Sequence, residues 1–269
     1  MNLRRLLLPC AALMIAAASP GPDRLPAGAL LPDLRTVIPS QLQIVNPGKD
    51  EKTEVLRFSN GIANMGDGPW HMRPEFPLNS LDPQKAIQEL FDAAGAKVHE
   101  KVVSLFEFHV THNHWHINGV ALFEIRASKG RALGGADIGE VIGGNSIKTT
   151  FCLIDWIRYE DNSNNGKKSD RVYFDCAGAT QGISVGWVDQ YHQATDGQEL
   201  DLTGAPVGRY YLVSTANYDK VFLEKSTENN RAWVAFNLTR DSNGNAKIDL
   251  AGDSLKDGEG LPLTYTANR

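Results

Sequence analysis

Apolar and polar residues alternate through most of this chain with the period of two that a half-buried strand imposes. Residues 54–59 set the pattern, with Val55, Leu56 and Phe58 among Glu54, Arg57 and Ser59, and Asn60-Gly61 after them reads as a turn. The same reading predicts strands over residues 102–108, 119–126, 149–154, 171–174, 210–216 and 231–238, while residues 22–40 are proline-spotted and extended. Loops divide these segments: Asn162-Ser163-Asn164-Asn165-Gly166 and Asp241-Ser242-Asn243-Gly244-Asn245 are rich in residues that accept turn geometry. One segment has a helical period, residues 82–94, where Ile87, Leu90 and Phe91 fall at i, i+3 and i+4. Many short strands, polar turns and little helix predict an all-β fold, a β-sandwich-like single domain with long loops.

The amino-terminal end breaks this pattern. Arg4 and Arg5 precede an apolar run over residues 6–18, and small residues follow around Ala16 to Ser19, so residues 1–20 read as a signal peptide and residues 21–269 as the exported domain. The run is shorter than the about 20 apolar residues of a membrane-spanning helix, and no later segment is apolar enough to span a bilayer. Export implies a secreted or cell-envelope location. Cys10 leaves with the leader, and the remaining Cys152 and Cys176 form an even pair for which an oxidising compartment predicts one disulfide, with two buried thiols as the alternative. With 42% hydrophobic residues the chain can bury a core, and its net charge of -5 offers no basic field for nucleic acid. A modestly acidic surface is compatible with cationic amines and equally with ordinary solubility.

Four of the seven histidines fall in the run His109-Val110-Thr111-His112-Asn113-His114-Trp115-His116. On a strand His112, His114 and His116 share a face, where neutral imidazoles ligate copper or zinc. Residues i and i+2 are roughly 7 Å apart, a span two imidazoles can bridge, but i and i+4 are roughly 13 Å apart on a straight strand. A three-histidine site therefore predicts a bend, bulge or turn within the run. His109 has the opposite parity and reads as a neighbour of the ligands. A stripe of packing or surface histidines is the alternative.

The stretch from Phe108 through His116 resembles the lysyl oxidase family, whose copper-binding H-x-H-x-H core follows another histidine three residues upstream. Other blocks carry the resemblance further. Lys148-Thr149-Thr150-Phe151-Cys152-Leu153-Ile154-Asp155 is similar to the family's lysine-bearing K-x-x-F-C-L-x-D segment. Thr180-Gln181-Gly182-Ile183-Ser184, Gly186-Trp187-Val188-Asp189-Gln190-Tyr191 and Gly208-Arg209-Tyr210-Tyr211-Leu212 resemble its T-Q-G-L-S, D-x-Y and G-x-Y-x-L stretches. The similarity runs over residues 31–238. It implies that His112, His114 and His116 hold copper, and that Lys148 and Tyr191 are the precursors of a lysine tyrosylquinone. The resemblance also implies a family calcium site, half preserved in Asp33, Leu34, Glu224, Asn229 and Asn230 with Ser226 where an acid is expected; an Asn-rich hairpin turn is the alternative reading. The cysteine framework departs too, since the animal enzymes have several disulfides and only Cys152 and Cys176 stand here.

The resemblance further implies a reaction: oxidative deamination of primary amines, whether peptidyl lysine or small amines, to aldehydes by O2, with release of hydrogen peroxide and ammonia. Asp189, two residues before Tyr191 and thus on the same side of a strand, is the candidate general base, with His192 and His109 competing. A turn-forming or solvated carboxylate is the other reading of Asp189. The second functional reading is a non-enzymatic copper- or zinc-binding envelope protein, which needs the histidines but neither Lys148 nor Tyr191.

Overall fold

The computed structural model describes residues 25–45, 53–159 and 169–262, with the backbone alone over residues 143–149. The expected leader at 1–20 and the loop at 162–166 lie outside the described residues. Fourteen strands are described: β1 (Leu34–Val45), β2 (Val55–Asn64), β3 (Trp70–Pro74), β4 (Gln84–Phe91), β5 (Lys97–His109), β6 (His114–Ser128), β7 (Ile138–Phe151), β8 (Ile157–Arg158), β9 (Gln181–Ile183), β10 (Trp187–Tyr191), β11 (Glu199–Asp201), β12 (Gly208–Ala216), β13 (Arg231–Arg240) and β14 (Ala246–Asp253). Among the described residues, helical geometry is confined to two 3-10 segments, Gly135–Asp137 and Ser254–Asp257. The all-β reading holds.

One sheet runs β14-β13-β12-β6-β5-β4-β3-β9 with β7 paired to β6, and the other runs β1-β2-β10-β8 with β11 paired to β2. The ladders are antiparallel. The main core lies between the sheets, where Phe58 of β2 meets Phe123 of β6 edge to face with ring centres 4.9 Å apart. Phe151 closes on Phe123 from the end of β7. All three rings are buried, each worth about 1.5–3 kcal/mol against exposure. On β12 alternation serves two cores: Tyr210 and Leu212 face the main one, while Tyr211 and Val213 pack with Trp233 and Ala235 in a smaller one.

Four local expectations are corrected. Residues 82–94 are not helical: β4 pairs with β3 and β5, and its residues Ala86 to Leu90 are all buried. The polar positions that resemble a helix's wet face are held at long range, Gln88 by the backbone of Leu223 and Glu89 by Arg73 and Lys97. Asn60-Gly61 continues β2 instead of turning, because β10 lies alongside and a side chain at Gly61 would meet Val188 at 3.0 Å and Val37 at 3.4 Å. Residues 171–174 form no ladder, since the N–H groups of Val172 and Tyr173 donate to the Asp155 carboxylate. The strand expected over 149–154 ends at Phe151, for a reason that belongs to the site. The tip at 241–245 does turn, with Asp241 accepting from the N–H groups of Asn243 and Asn245.

Candidate metal centre and active site

The histidine run folds as a hairpin between β5 and β6. His109 ends β5, His114 begins β6, and the two are paired in register. The N–H groups of His112 and Asn113 both donate to the His109 carbonyl, at 3.1 and 2.8 Å, and Asn113 takes a left-handed φ of 55°, which asparagine tolerates better than most residues. This is the turn that the three-histidine spacing demands. Trp115, of opposite parity to His114 and His116, is buried against Phe106 and Phe108 and fixes which face the imidazoles take.

His116 is the centre of the cluster. Its Nε2 lies 2.9 Å from His114 Nε2 and 3.3 Å from His112 Nδ1. That is about the spacing donor atoms take around one ion when each sits roughly 2.0–2.1 Å from it. His109 stacks on the His116 ring at 4.0 Å, and His109, His112 and His116 offer nitrogen atoms all within 4.8 Å of one another. The structure thus brings all four histidines together, including the one whose parity sets it apart. Burial, then the neighbouring imidazoles, pushes His116 down to about 3, and burial lowers His114 and His109 as well. Neutral imidazole is the form that binds a metal, so the donor set fits a transition metal such as copper.

Tyr191 ends β10 with its ring edge-on to Phe151 at 4.2 Å. Its phenolic oxygen accepts from Cys152 N–H at 2.9 Å and donates to Cys152 C=O at 3.0 Å. Both backbone groups of Cys152 are thereby taken by a side chain, and β7 stops one residue earlier. Burial, reinforced by Asp189, pushes the phenol well above its ordinary range. Tyr191 shares with His112 and His114 an open cleft of about 360 Å³, completed by Cys176, Ala194, Thr195 and Asp196.

Cys152 and Cys176 are joined, as the even pair predicts. The bridge ties the Tyr191 anchor to the histidine hairpin, because the Cys176 carbonyl accepts from Trp115 N–H at 3.2 Å. Gln181 braces the same junction, accepting from Leu153 N–H and donating to the Trp115 carbonyl.

Asp189 is buried in β10, and burial, then Asp155, pushes its carboxyl well above the usual carboxylate range. Asp155 itself accepts from the N–H groups of Val172, Tyr173 and Ser184 and from the Ser184 hydroxyl. His192 is exposed, its Nδ1 accepting from Ala194 N–H. Lys148 lies in β7 opposite Leu122 of β6, within the stretch described by backbone alone.

The second set of oxygen donors is also assembled. Glu224 accepts from Leu34 N–H at 2.9 Å and from the side chains of Asn230 and Asn217, and Asn229 donates to both Asp33 oxygens. Among the described residues, the side-chain amide oxygens of Asn229 and Asn230 are buried with no hydrogen-bond partner. Burial raises Glu224 to about 7. Ser226, in the position of the missing acid, accepts from Glu228 N–H.

Thr150 and Asp196 enter the site without having been singled out from the sequence. Thr150 sits inside the lysine-bearing block, two positions after Lys148; nothing in the pattern around Asp196 marks it. Residues 90–245 of the 269 match the family model described as lysyl oxidase, more than half of the chain. No curated protein matches it.

Proposed function

This chain belongs to the lysyl oxidase family, and on that premise we propose that it is an exported copper-dependent oxidase converting primary amines to aldehydes with a cofactor made from Lys148 and Tyr191. The observation that carries the reading is the shared cleft: His112, His114 and Tyr191 line one open cavity, so a redox metal on the imidazoles and an amine at the tyrosine would meet there. The residues proposed to hold copper are His112, His114 and His116. When bound, copper with O2 would supply the oxidation of the Tyr191 ring that Lys148 traps, and the resulting lysine tyrosylquinone would supply the electrophilic carbonyl that no standard side chain has. The overall reaction balances as one amine, one O2 and one water giving one aldehyde, one ammonia and one hydrogen peroxide.

The chain's own groups have definable parts. Cys152 holds the Tyr191 oxygen in place before any chemistry, which limits the positions its ring can take. Asp189 is the proposed base: it lies buried two residues before Tyr191 on β10, and burial, then Asp155, raises its carboxyl well above the usual range. Exposed Asp196 on the cleft wall would attract a cationic amine. Asp33, Glu224 and the unpartnered amide oxygens of Asn229 and Asn230 fit a hard cation and are the proposed calcium donors.

The purified mature protein, copper-loaded in air, should release peroxide with a primary amine and none with a tertiary amine of equal size. Copper binding without peroxide release would favour the non-enzymatic metal-binding reading.

A further inference from the structure

Every histidine nitrogen that faces away from the cluster must still be satisfied, and for His116 the partner is a hydroxyl. Its Nδ1 lies 3.0 Å from Thr150 Oγ1, and the same oxygen lies 3.5 Å from His109 Nε2. We propose that Thr150 is the positioning residue of the metal centre, fixing which nitrogen of His116 is offered to the metal and withholding His109. The proposal rests on the ligand set His112, His114 and His116.

A neutral imidazole has one N–H and one lone pair, and a hydroxyl has one O–H to donate. With the His116 proton on Nδ1 and donated to Thr150, the lone pair stands on Nε2, the nitrogen that faces His114 and His112. The Thr150 hydroxyl then has its own proton free for His109 Nε2, which occupies that lone pair. One side chain thus sorts two stacked imidazoles into a ligand and a neighbour. Groups that orient ligating histidines in this way typically contribute 10–100-fold in metal affinity.

The fold holds Thr150 there by a defect in the β6–β7 ladder. Ile117 pairs with Phe151 and Ala121 with Thr149, so residues 118–120 of β6 stand opposite Thr150 alone. Gly119 lies at the middle of this bulge with φ +73°, a conformation that side-chain-bearing residues seldom take. The bulged backbone is engaged elsewhere, the Asn118 carbonyl by Ser104 Oγ and the Val120 carbonyl by Asn217 N–H.

The test uses copper affinity, measured by competition with a chelator on the folded, copper-free protein, and the Cu(II) electron paramagnetic resonance spectrum. Thr150→Val keeps the shape and deletes the hydroxyl; it should bind copper about 10–100 times more weakly and change the nitrogen hyperfine pattern. Thr150→Ser should stay within about threefold of wild type, since it keeps the oxygen. His109→Ala, nearly silent alone, should lose further affinity in the Thr150→Val background, where the freed His109 can bind. Wild-type affinity in Thr150→Val, or equal loss in Thr150→Ser, would overturn the assignment. Absence of copper binding by the wild-type protein would instead remove the ligand set itself, and Thr150's role with it.

Discussion

The phenolic oxygen of Tyr191 takes both hydrogen-bonding backbone groups of Cys152, although the two residues are 39 positions apart. This contact ends β7, pins the tyrosine ring against Phe151, and sets it at the cleft shared with His112 and His114. Because Cys152 is bridged to Cys176, whose carbonyl holds Trp115, the ring and the histidine hairpin are parts of one braced unit.

Tyr191→Phe removes the oxygen and leaves the Cys152 N–H and C=O without that partner. The expected cost is about 1–3 kcal/mol, seen as a lower melting temperature. Peroxide release should vanish while copper stoichiometry is unchanged. Retained amine oxidation in this variant would contradict the role given to the phenol.

Metal stoichiometry of single alanine variants separates the histidines. His112→Ala, His114→Ala and His116→Ala should each lose most of the bound copper, and His109→Ala should keep most of it. Equal loss in the His109 variant would replace the three-histidine set with four.

Replacing both cysteines by serine opens the bridge that spans a sequence separation of 24. Chain entropy predicts a loss of about 3–4 kcal/mol, read from the denaturant midpoint at unchanged slope. Unchanged stability would mean that the hairpin and the Tyr191 anchor hold together without the bridge.

Glu224 gives a pH dependence with a definite sign. Burial raises its carboxyl from 4.5 to about 7 in the folded protein, so between those values the native state binds more protons than the unfolded chain. Its contribution to calcium-free stability is therefore full below about 4.5 and is lost as pH rises through about 7. Calcium needs the ionised carboxylate, so its affinity should rise over the same interval, and Glu224→Gln should abolish both trends. Calcium titrations from pH 5 to 8 with flat affinity would exclude Glu224 from a calcium site.

Much of this architecture is legible in the sequence where local pattern and burial agree. Residues 210–216 and 231–238 alternate cleanly and form β12 and β13, and the spacing of His112, His114 and His116 anticipates the turn that lets them meet, whereas parity misses His109, which joins the cluster across the hairpin. The misreadings share a cause in partners distant along the chain. Gln88 and Glu89 fit a helical pattern until Leu223, Arg73 and Lys97 are seen to hold them, and Gly61 looks like a turn until Val188 is laid against it. Thr150 is hidden for the same reason. Its position depends on the register of β6 against β7, and no periodicity in either strand records a bulge at Gly119.

That Lys148 and Tyr191 become one cofactor is the proposal on which the amine chemistry depends. Its direct test is peptide mass mapping of the mature protein after exposure to copper and air, with phenylhydrazine as the carbonyl label. A single cross-linked species that contains both residues and carries the label is expected, and it should be absent from Lys148→Ala, Tyr191→Phe and copper-free protein. Separate, unmodified Lys148 and Tyr191 peptides in protein that still oxidises amines would contradict it.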